Sequence, residues 1–170
     1  MPFSAEAIAR LKEQGFDVHL TLVGDGPLHR GLQQQAEAFG VANHICFAGW
    51  KSQQELRDLY NESDACVLAS FAEDVPVVLM EAMAAGVPCI APRITGIPEL
   101  IREGVDGLLF TPSSVDELAM VIAEMSTDSN RRRTMAYLSR ERVARKYDLS
   151  TNMRVCRKSF GTGCFLIQGG

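Results

Sequence analysis

Residues 65–91 of the chain read ACVLASFAEDVPVVLMEAMAAGVPCIA. The apolar run at residues 65–68 predicts a buried strand, and residues 88–91 predict a second one. Between them, apolar residues at 77–80 fill the start of a predicted helix, and the alanines and glycine of residues 82–86 let that helix lie close to a sheet. Strand, helix and strand in this order predict a parallel α/β sheet.

The same stretch carries two carboxylates, Glu73 and Glu81, on either side of a predicted loop-to-helix junction. Helix starts attract anions through their free N–H groups and the helix dipole. An acid at the mouth of this helix and another inside it could reach one ligand that lies across the helix end. The pattern therefore predicts a phosphorylated ligand whose hydroxyl groups are held by the two acids.

The rest of the chain shows the same alternation of short apolar runs and amphipathic helical stretches. Ser52, Ser114 and Asp128 are predicted to cap helices. The sequence is expected to be helical from about residue 114 to about residue 160. Further strands are predicted at residues 18–23, 45–47 and 107–110, and further helices at residues 28–39 and 53–61.

Four predicted loops, at residues 24–26, 49–51, 70–75 and 95–99, each follow a predicted strand. Ligands of parallel α/β sheets bind outside the carboxyl ends of the strands. We therefore expect these four loops to converge on one edge of the sheet and to form one site.

Length and composition predict a single domain, because 170 residues with 46% hydrophobic content can build one core but not two comfortable ones. The domain is expected to span residues 1–160. The last ten residues, GTGCFLIQGG at 161–170, continue neither the helical pattern nor a strand with an obvious partner, so we predict an irregular tail.

Charge is unevenly distributed along a chain of net charge −4, since residues 131–158 hold ten Lys or Arg against two Asp or Glu. The simplest interpretation of this basic stretch is a solvated helical face, and weak peripheral contact with anionic lipid is the alternative. The N-terminus lacks a secretory pattern and no apolar run approaches membrane-spanning length. We therefore expect a cytoplasmic location, at most peripheral to the inner face of the membrane, and no nucleic-acid partner.

The cysteines and histidines give no metal signature. The five cysteines form no C-x-x-C pair, and Cys46, Cys66 and Cys89 lie in apolar runs that predict small buried side chains in a reducing compartment. The three histidines have no metal-ligand spacing with one another or with the cysteines. We therefore expect no metal site.

Four ordered motifs resemble the retaining glycosyltransferases of group 1 (family 4), which have the two-domain GT-B architecture. The motifs are VGDGPL at 23–28, FAGW at 47–50, the pair of glutamates with EAMAAGVPCIA, and TGIPELIREGVDGLLF at 95–110. The resemblance covers roughly residues 16–150, and the last motif is most similar to bacterial enzymes of polysaccharide synthesis. It implies a Rossmann-like α/β domain, the C-terminal half of a GT-B fold, that binds a nucleotide sugar.

The resemblance also implies roles for particular residues. Glu73 is placed at the catalytic centre, where the family's acid contacts the hydroxyls of the donor sugar, and Glu81 is placed on the ribose hydroxyls. No cofactor or metal is implied, and a UDP- or GDP-linked sugar is the expected substrate. The other donor-binding positions are Gly24 and Gly26 in a turn near the donor, Trp50 and Lys51 near the nucleobase, and Asp74, Val75, Pro76 and Val77 near the diphosphate or sugar.

Physical chemistry agrees with these roles in part. One carboxylate can accept hydrogen bonds from two vicinal hydroxyls, which suits Glu81 to a ribose and Glu73 to a hexose. Asp74 departs from the family pattern, which usually has Gly or Ser at this position. A further negative charge beside a diphosphate is unfavourable, so the expected donor affinity is lower. It could instead cap the helix, with Pro76 in its first turn.

A glycosidase acid and nucleophile pair is the competing interpretation of Glu73 and Glu81. Such carboxyl groups lie about 5–10 Å apart. Eight residues along a helix would span about 12 Å, which disfavours that interpretation.

Family members begin this domain with a strand and a loop that carry an Arg and a Lys for the donor diphosphate. Here the chain opens in a predicted helix, and Arg10 and Lys12 do not match that pair. The first strand and the acceptor domain are therefore expected to be missing. The chain is interpreted as the donor-binding half of a glycosyltransferase, either truncated or completed by a separate chain, and catalytically inactive by itself. The alternative is a non-catalytic Rossmann-like domain that serves as a subunit or self-associates through the sheet edge left bare.

Overall fold

A computed structural model describes residues 3–24, 29–68, 77–94, 96–146 and 164–169 of the chain. Helices and strands alternate through most of this length, as the sequence predicts. The elements are α1 (Phe3–Glu13), β1 (Val18–Val23), α2 (His29–Ala38), a 3-10 turn (Ala42–His44), β2 (Ile45–Gly49), α3 (Gln53–Glu62), β3 (Ala65–Leu68), α4 (Val77–Ala85), β4 (Cys89–Pro92), α5 (Ile97–Leu100), β5 (Gly107–Phe110), α6 (Val115–Thr127), α7 (Ser129–Lys146) and β6 (Cys164–Gly169).

The strands form one six-stranded sheet in the order β2-β1-β6-β3-β4-β5. β1 pairs with β2, β3 with β4 and β4 with β5 in parallel, whereas β6 pairs antiparallel with both β1 and β3. β1 and β3 therefore run in the same direction, and five of the six strands are parallel. The predicted mixed α/β fold with helices around a mostly parallel sheet is confirmed.

The tail prediction was wrong for the described part of residues 161–170, because Cys164–Gly169 forms β6 in the interior of the sheet. Its central side chains, Phe165, Leu166 and Ile167, are all buried. Sequence pattern misses this strand because its partners, β1 and β3, are more than ninety residues away. β6 also fills the interior position between those strands, so the bare sheet edge invoked for self-association does not occur there.

The core has two halves, one on each face of the sheet. Alternating residues of β3 show the division, since Ala65 and Val67 face one cluster while Cys66 and Leu68 face the other. The first cluster includes residues of α1, α2 and α6, and the second includes residues of α3, α4 and α7. The sheet is thus covered by helices on both faces, as a parallel sheet requires.

The predicted caps are confirmed by hydrogen bonds. The Ser52 hydroxyl accepts from the backbone N–H of Glu55 in a capping box, and the Ser114 hydroxyl accepts from the N–H of Glu117. Asp128 accepts from the N–H of residue 131 at 2.9 Å, although the helix it caps begins directly after α6 and not in one continuous run. α7 is described as Ser129–Lys146, and the remaining part of the predicted helix, to about residue 160, lies outside the described residues.

Two local predictions need adjustment. Cys66 and Cys89 are buried as expected, but Cys46 is exposed because it lies on the edge strand β2. The second strand extends to Gly49, and the fourth begins at Cys89. Among the described residues, no helix combines the length and the hydrophobicity needed to cross a membrane.

Candidate functional site

The carboxyl ends of the parallel strands mark the candidate site. β1, β2, β3 and β4 end at Val23, Gly49, Leu68 and Pro92, and their common direction brings these ends to one edge of the sheet. The four loops singled out from the sequence follow these ends. The fold therefore supports their predicted convergence, although residues 25–28, 69–76 and 95 lie outside the described residues.

A backbone hydrogen bond joins the first two of these loops. The N–H of Gly24 donates to the carbonyl of Gly49 at 2.8 Å. Both glycines have positive φ, +115° and +64°, which side chains with a Cβ rarely adopt. The register of β1 against β2 shifts between Leu22 and Val23, and Val23 still pairs with Gly49 beyond the shift. Gly24 and the loop at 49–51 are thus brought together, while Gly26 lies outside the described residues.

Trp50 follows directly and is 65% exposed, so it does not cover the core. Beside it, Lys51 places its Nζ 3.4 Å from Oε1 of Glu55 in the first turn of α3. Trp50 and Lys51, both predicted to contact a nucleobase, therefore differ in how accessible their side chains are to a ligand. The indole is open to solvent at the site edge, whereas the ammonium group is held back toward a helix.

Glu55 stabilises this loop by accepting hydrogen bonds from Ser52 and Lys51. The Ser52 hydroxyl and backbone N–H donate to its carboxylate at 2.6 and 2.8 Å, and these bonds, with a smaller effect from Lys51, lower the pKa of Glu55 to about 2. The carboxylate is therefore ionised throughout the neutral range. It fixes the start of α3 and the position of Lys51 at the same time.

α4 presents Glu81 on its less buried face. Leu79, Met80 and Met83 are buried against the second core cluster, whereas Val77 and Glu81, four residues apart and on one face, are half-buried. α4 begins after the carboxyl end of β3, so Glu81 lies about one turn, roughly 6 Å, inside the helix from its start. Glu81 therefore lies inside a helix, as expected, and its role at a ribose stays a prediction.

Glu73, Asp74, Val75 and Pro76 lie outside the described residues, so their predicted roles remain predictions. The separation of Glu73 and Glu81, on which the glycosidase alternative depends, likewise stays a prediction, because α4 is described only from Val77.

Arg10 and Lys12 are occupied elsewhere, in agreement with the expectation that they do not serve a diphosphate. Arg10 bonds to Glu6 and to Asp116 of α6, and Lys12 donates to the carbonyl of Gly40 at 2.9 Å. Gly40 follows the end of α2, which runs back toward the amino ends of the strands. This cation therefore lies at the edge of the sheet opposite the candidate site.

Sequence analysis overlooked Arg93, a cation at the candidate edge. It follows β4 directly, its N–H donates to the carbonyl of Phe110, and its guanidinium lies 3.2 Å from the carboxylate of Glu103. The guanidinium is half exposed. Its position in the sequence could have indicated this, because Arg93 comes one residue after a buried strand whose carboxyl end lies at the candidate site.

The loop after β4 is held by α7. Gly96 precedes α5 with φ +85°, and Thr95 lies outside the described residues. Arg142 donates to the carbonyls of Leu100 and Glu99 at 2.6 and 2.7 Å. Glu99 therefore serves as a brace through its backbone carbonyl.

The basic stretch is partly neutralised by ion pairs within α7 and with its neighbours. Arg132 bonds to Asp64 at 2.8 Å and Arg145 to Glu141 at 2.7 Å, and Arg131 pairs with Glu124 of α6. Several of its cations therefore already serve the fold, which favours the interpretation as a solvated helical face.

One group of side chains in the described part of the chain could hold a metal ion, namely Asp17, His19 and His44. It lies at the amino ends of β1 and β2, away from the loops of the candidate site. Sequence spacing did not reveal it, because His44 is brought to His19 by strand pairing.

Comparisons with known proteins agree with this geometry. The profile of the family "glycosyl transferases group 1" matches residues 3–142. The chain is 34% identical over 131 residues to N-acetyl-alpha-D-glucosaminyl L-malate synthase of Bacillus anthracis, covering 77% of this chain and 34% of that protein. It is 33% identical over 127 residues to the amylovoran biosynthesis glycosyltransferase AmsK of Erwinia amylovora, covering 71% and 31%. The chain thus spans about a third of these relatives.

The chain is also similar in fold to solved structures of glycosyltransferases. The chain superposes on Anabaena HepE in complex with UDP with a TM-score of 0.79 and 28% identity, covering 91% of this chain and 43% of that one. Its fold is also similar to that of WaaG, a glycosyltransferase involved in lipopolysaccharide biosynthesis, with a TM-score of 0.76. The fold is therefore that of one half of the GT-B glycosyltransferases.

Proposed function

Because the chain belongs to the glycosyl transferases group 1 family, we propose that it is the donor-binding domain of a retaining hexosyltransferase. The whole enzyme would act in the synthesis of a bacterial cell-surface polysaccharide or glycoconjugate. The donor is a nucleotide sugar, linked to UDP or GDP, and no metal or other cofactor takes part in its binding.

The observation that carries this proposal is the edge where the parallel strands end. Gly24 and Gly49 join two loops there, Trp50 is exposed beside them, and α4 presents Glu81 near its start. Such an edge is where α/β sheets bind nucleotides, and a helix start favours phosphate.

The solved structures support the same ligand. HepE, with a TM-score of 0.79, has been crystallised with UDP and with UDP-glucose. Both ligands were observed in HepE. Because the two proteins are similar in sequence and fold, we extend nucleotide-sugar binding to this chain as a hypothesis.

Most of the predicted residues receive a distinct role in this proposal. Glu81 accepts hydrogen bonds from both ribose hydroxyls, and Trp50 packs against the nucleobase. Glu73 contacts the donor sugar, and the N–H groups of residues 74–77 approach the diphosphate. Lys51 contributes through its backbone, because its ammonium group is directed to Glu55.

Transfer of the sugar requires an acceptor site, which we assign to a part of the enzyme beyond this domain. The chain spans about a third of its relatives, so this assignment agrees with their greater length. In isolation the chain is expected to bind donor but not to transfer sugar. A separate acceptor-binding chain is the partner that would restore activity.

Peripheral membrane contact is suggested by the basic stretch, because clustered Lys and Arg are attracted to anionic lipid. A weak peripheral contact would use cations of α7, but those in ion pairs are less available for it. We therefore propose at most a weak contact with the inner face of the membrane.

Isothermal calorimetry of the chain with UDP-, GDP- and ADP-sugars tests the donor site. We expect one nucleotide sugar to bind with a one-to-one ratio. Glu81→Gln should weaken that binding at least about 10-fold, because two hydrogen bonds to a charged acceptor are replaced by weaker ones.

Glu37→Gln is the matched control, since Glu37 is an exposed glutamate near the far end of α2. It should leave the affinity unchanged. Equal affinities for the parent chain and Glu81→Gln would refute the role of Glu81, and failure of all nucleotide sugars to bind would refute the donor site.

A further inference from the structure

Three polar side chains meet at the amino ends of β1 and β2. Asp17 directly precedes β1, His19 is the second residue of that strand, and His44 is the last residue of the 3-10 turn before β2. The parallel register pairs Leu20 with Ile45, so His19 and His44 occupy neighbouring positions one residue earlier. Asp17 is two residues before His19 and therefore on the same face.

The distances within this group are short. The rings of His19 and His44 stack with their centroids 5.1 Å apart and an interplanar angle of 27°. Oδ1 of Asp17 lies 3.7 Å from Nδ1 of His19 and 3.8 Å from Nδ1 of His44. One ligand atom from each residue lies within 4.8 Å of those of the other two.

Solvent reaches the group, but one of its members is held in place. The side chains of Asp17 and His19 are 65% and 45% exposed, whereas that of His44 is 18% exposed. Nδ1 of His44 also lies 3.3 Å from the carbonyl of Val18. When Nδ1 carries the proton and donates to that carbonyl, the other ring nitrogen is left to bind an ion, an arrangement common around metal-binding histidines.

We propose that Asp17, His19 and His44 form a binding site for a divalent transition-metal ion, with zinc as the cellular candidate. Two imidazoles and one carboxylate suit zinc, cobalt, nickel and copper, whereas magnesium and calcium prefer sites built from oxygen. Three protein ligands leave a fourth tetrahedral position for water.

The site requires only side-chain movement to close around an ion. Zinc binds nitrogen at about 2.0–2.1 Å, so ligand atoms around it lie roughly 3.3 Å apart. The present upper separation is 4.8 Å, and rotation of the exposed Asp17 and His19 side chains can reduce it. The strand register that brings the residues together stays unchanged.

Binding would connect β1 to β2 at the edge opposite the nucleotide loops. An ion that binds the folded chain but not the unfolded chain stabilises the fold by mass action. The ordinary alternative is a surface Asp–His contact with two stacked rings. That alternative predicts no response to metal, so the two interpretations give different results.

Zinc titration of the full chain by calorimetry, after removal of bound metal with a chelator, tests the proposal. We expect one zinc ion per chain, a rise in the melting temperature with added zinc, and visible absorption typical of tetrahedral cobalt when Co²⁺ replaces it. His19→Gln and His44→Gln should each weaken binding at least about 10-fold and abolish the rise in melting temperature.

Two further variants serve as controls. His29→Gln changes a histidine outside the group, whose ring packs against Phe47 with centroids 4.7 Å apart, and should retain the parent zinc affinity. Cys46→Ser removes an exposed thiol that could bind zinc by itself, and should also retain it. Circular dichroism establishes that the variants are folded. The proposal is overturned if zinc does not bind, if His19→Gln and His44→Gln bind it as the parent does, or if binding disappears with Cys46→Ser.

Discussion

Single residues at the candidate edge divide into those that brace the site and those that remain open to a ligand. Glu55 is a brace, because Ser52 holds its carboxylate and keeps its pKa at about 2. Glu99 is another, through a carbonyl that accepts from Arg142. Trp50 belongs to the second group, since 65% of its surface is exposed although the residue is large and apolar. This exposure shows that the indole does not serve the core, and its contact with a nucleobase stays a prediction.

Trp50 is the single tryptophan of the chain, so its fluorescence reports on this loop alone. If the nucleobase packs against it, saturation with the nucleotide sugar should change the emission intensity, and Trp50→Ala should weaken binding about 10-fold, as expected for loss of a stacked aromatic group. The free energy of unfolding should change by less than about 0.5 kcal/mol, because the side chain is outside the core. A large loss of stability with unchanged affinity would show that Trp50 covers the core instead.

At the scale of elements, close packing between strands and loops limits side-chain size at particular positions. Gly107 begins β5 beside Cys89 of β4, with which it pairs. A Cβ at Gly107 would lie 2.5 Å from the carbonyl oxygen of Cys89 and 2.8 Å from Cγ2 of Ile101. The glycine thus allows β5 to approach β4 closely at the start of both strands.

Gly107→Ala should therefore lower the free energy of unfolding by about 1–3 kcal/mol, the usual cost of overpacking. Gly31→Ala is the matched control, because Gly31 lies in α2 and a Cβ there would meet nothing within 4 Å. It should raise the free energy of unfolding by about 0.5–1 kcal/mol, since alanine favours a helix over glycine. Urea denaturation followed by circular dichroism measures both changes. Equal effects of the two substitutions would contradict the packing argument.

At the scale of the whole molecule, the sequence pattern predicted those features that depend on residues close together in the chain. The strands at 18–23, 65–68 and 107–110 and the Ser52 cap follow from apolar runs and short-range hydrogen bonds, and the structure has them. The carboxyl-edge location of the site follows from parallel strands. β6 and the group at Asp17, His19 and His44 could not be predicted in this way, because both depend on which distant segments pair.

β6 has a particular place in that pairing. In the described part of the chain, β1 and β2 connect with β3, β4 and β5 within the sheet through β6 alone. The candidate site draws on both groups of strands, since Gly24 and Trp50 follow β1 and β2 whereas Glu81 follows β3. β6 therefore sets the distance between the nucleobase side and the ribose side of the proposed site.

Leu166 is the residue that tests this role, because it is fully buried in β6 and packs in the second core cluster. Leu166→Ala should lower the free energy of unfolding by about 2–5 kcal/mol. Gln168→Ala is the control in the same strand. It removes a 3.2 Å hydrogen bond from a partly exposed side chain to the carbonyl of Glu62 and should cost about 1 kcal/mol or less.

A chain that ends at residue 163 extends the test from one side chain to the whole strand. Domains of this size are commonly stable by about 5–15 kcal/mol. The shortened chain loses three buried side chains and the hydrogen bonds that β6 makes to β1 on one side and to β3 on the other, so little folded protein should remain. Circular dichroism and nucleotide calorimetry should then show loss of cooperative unfolding and loss of donor binding together. If the shortened chain unfolds cooperatively at the parent urea concentration and binds donor with the parent affinity, β6 is not required for the sheet, and the two groups of strands must hold each other in place through their helices.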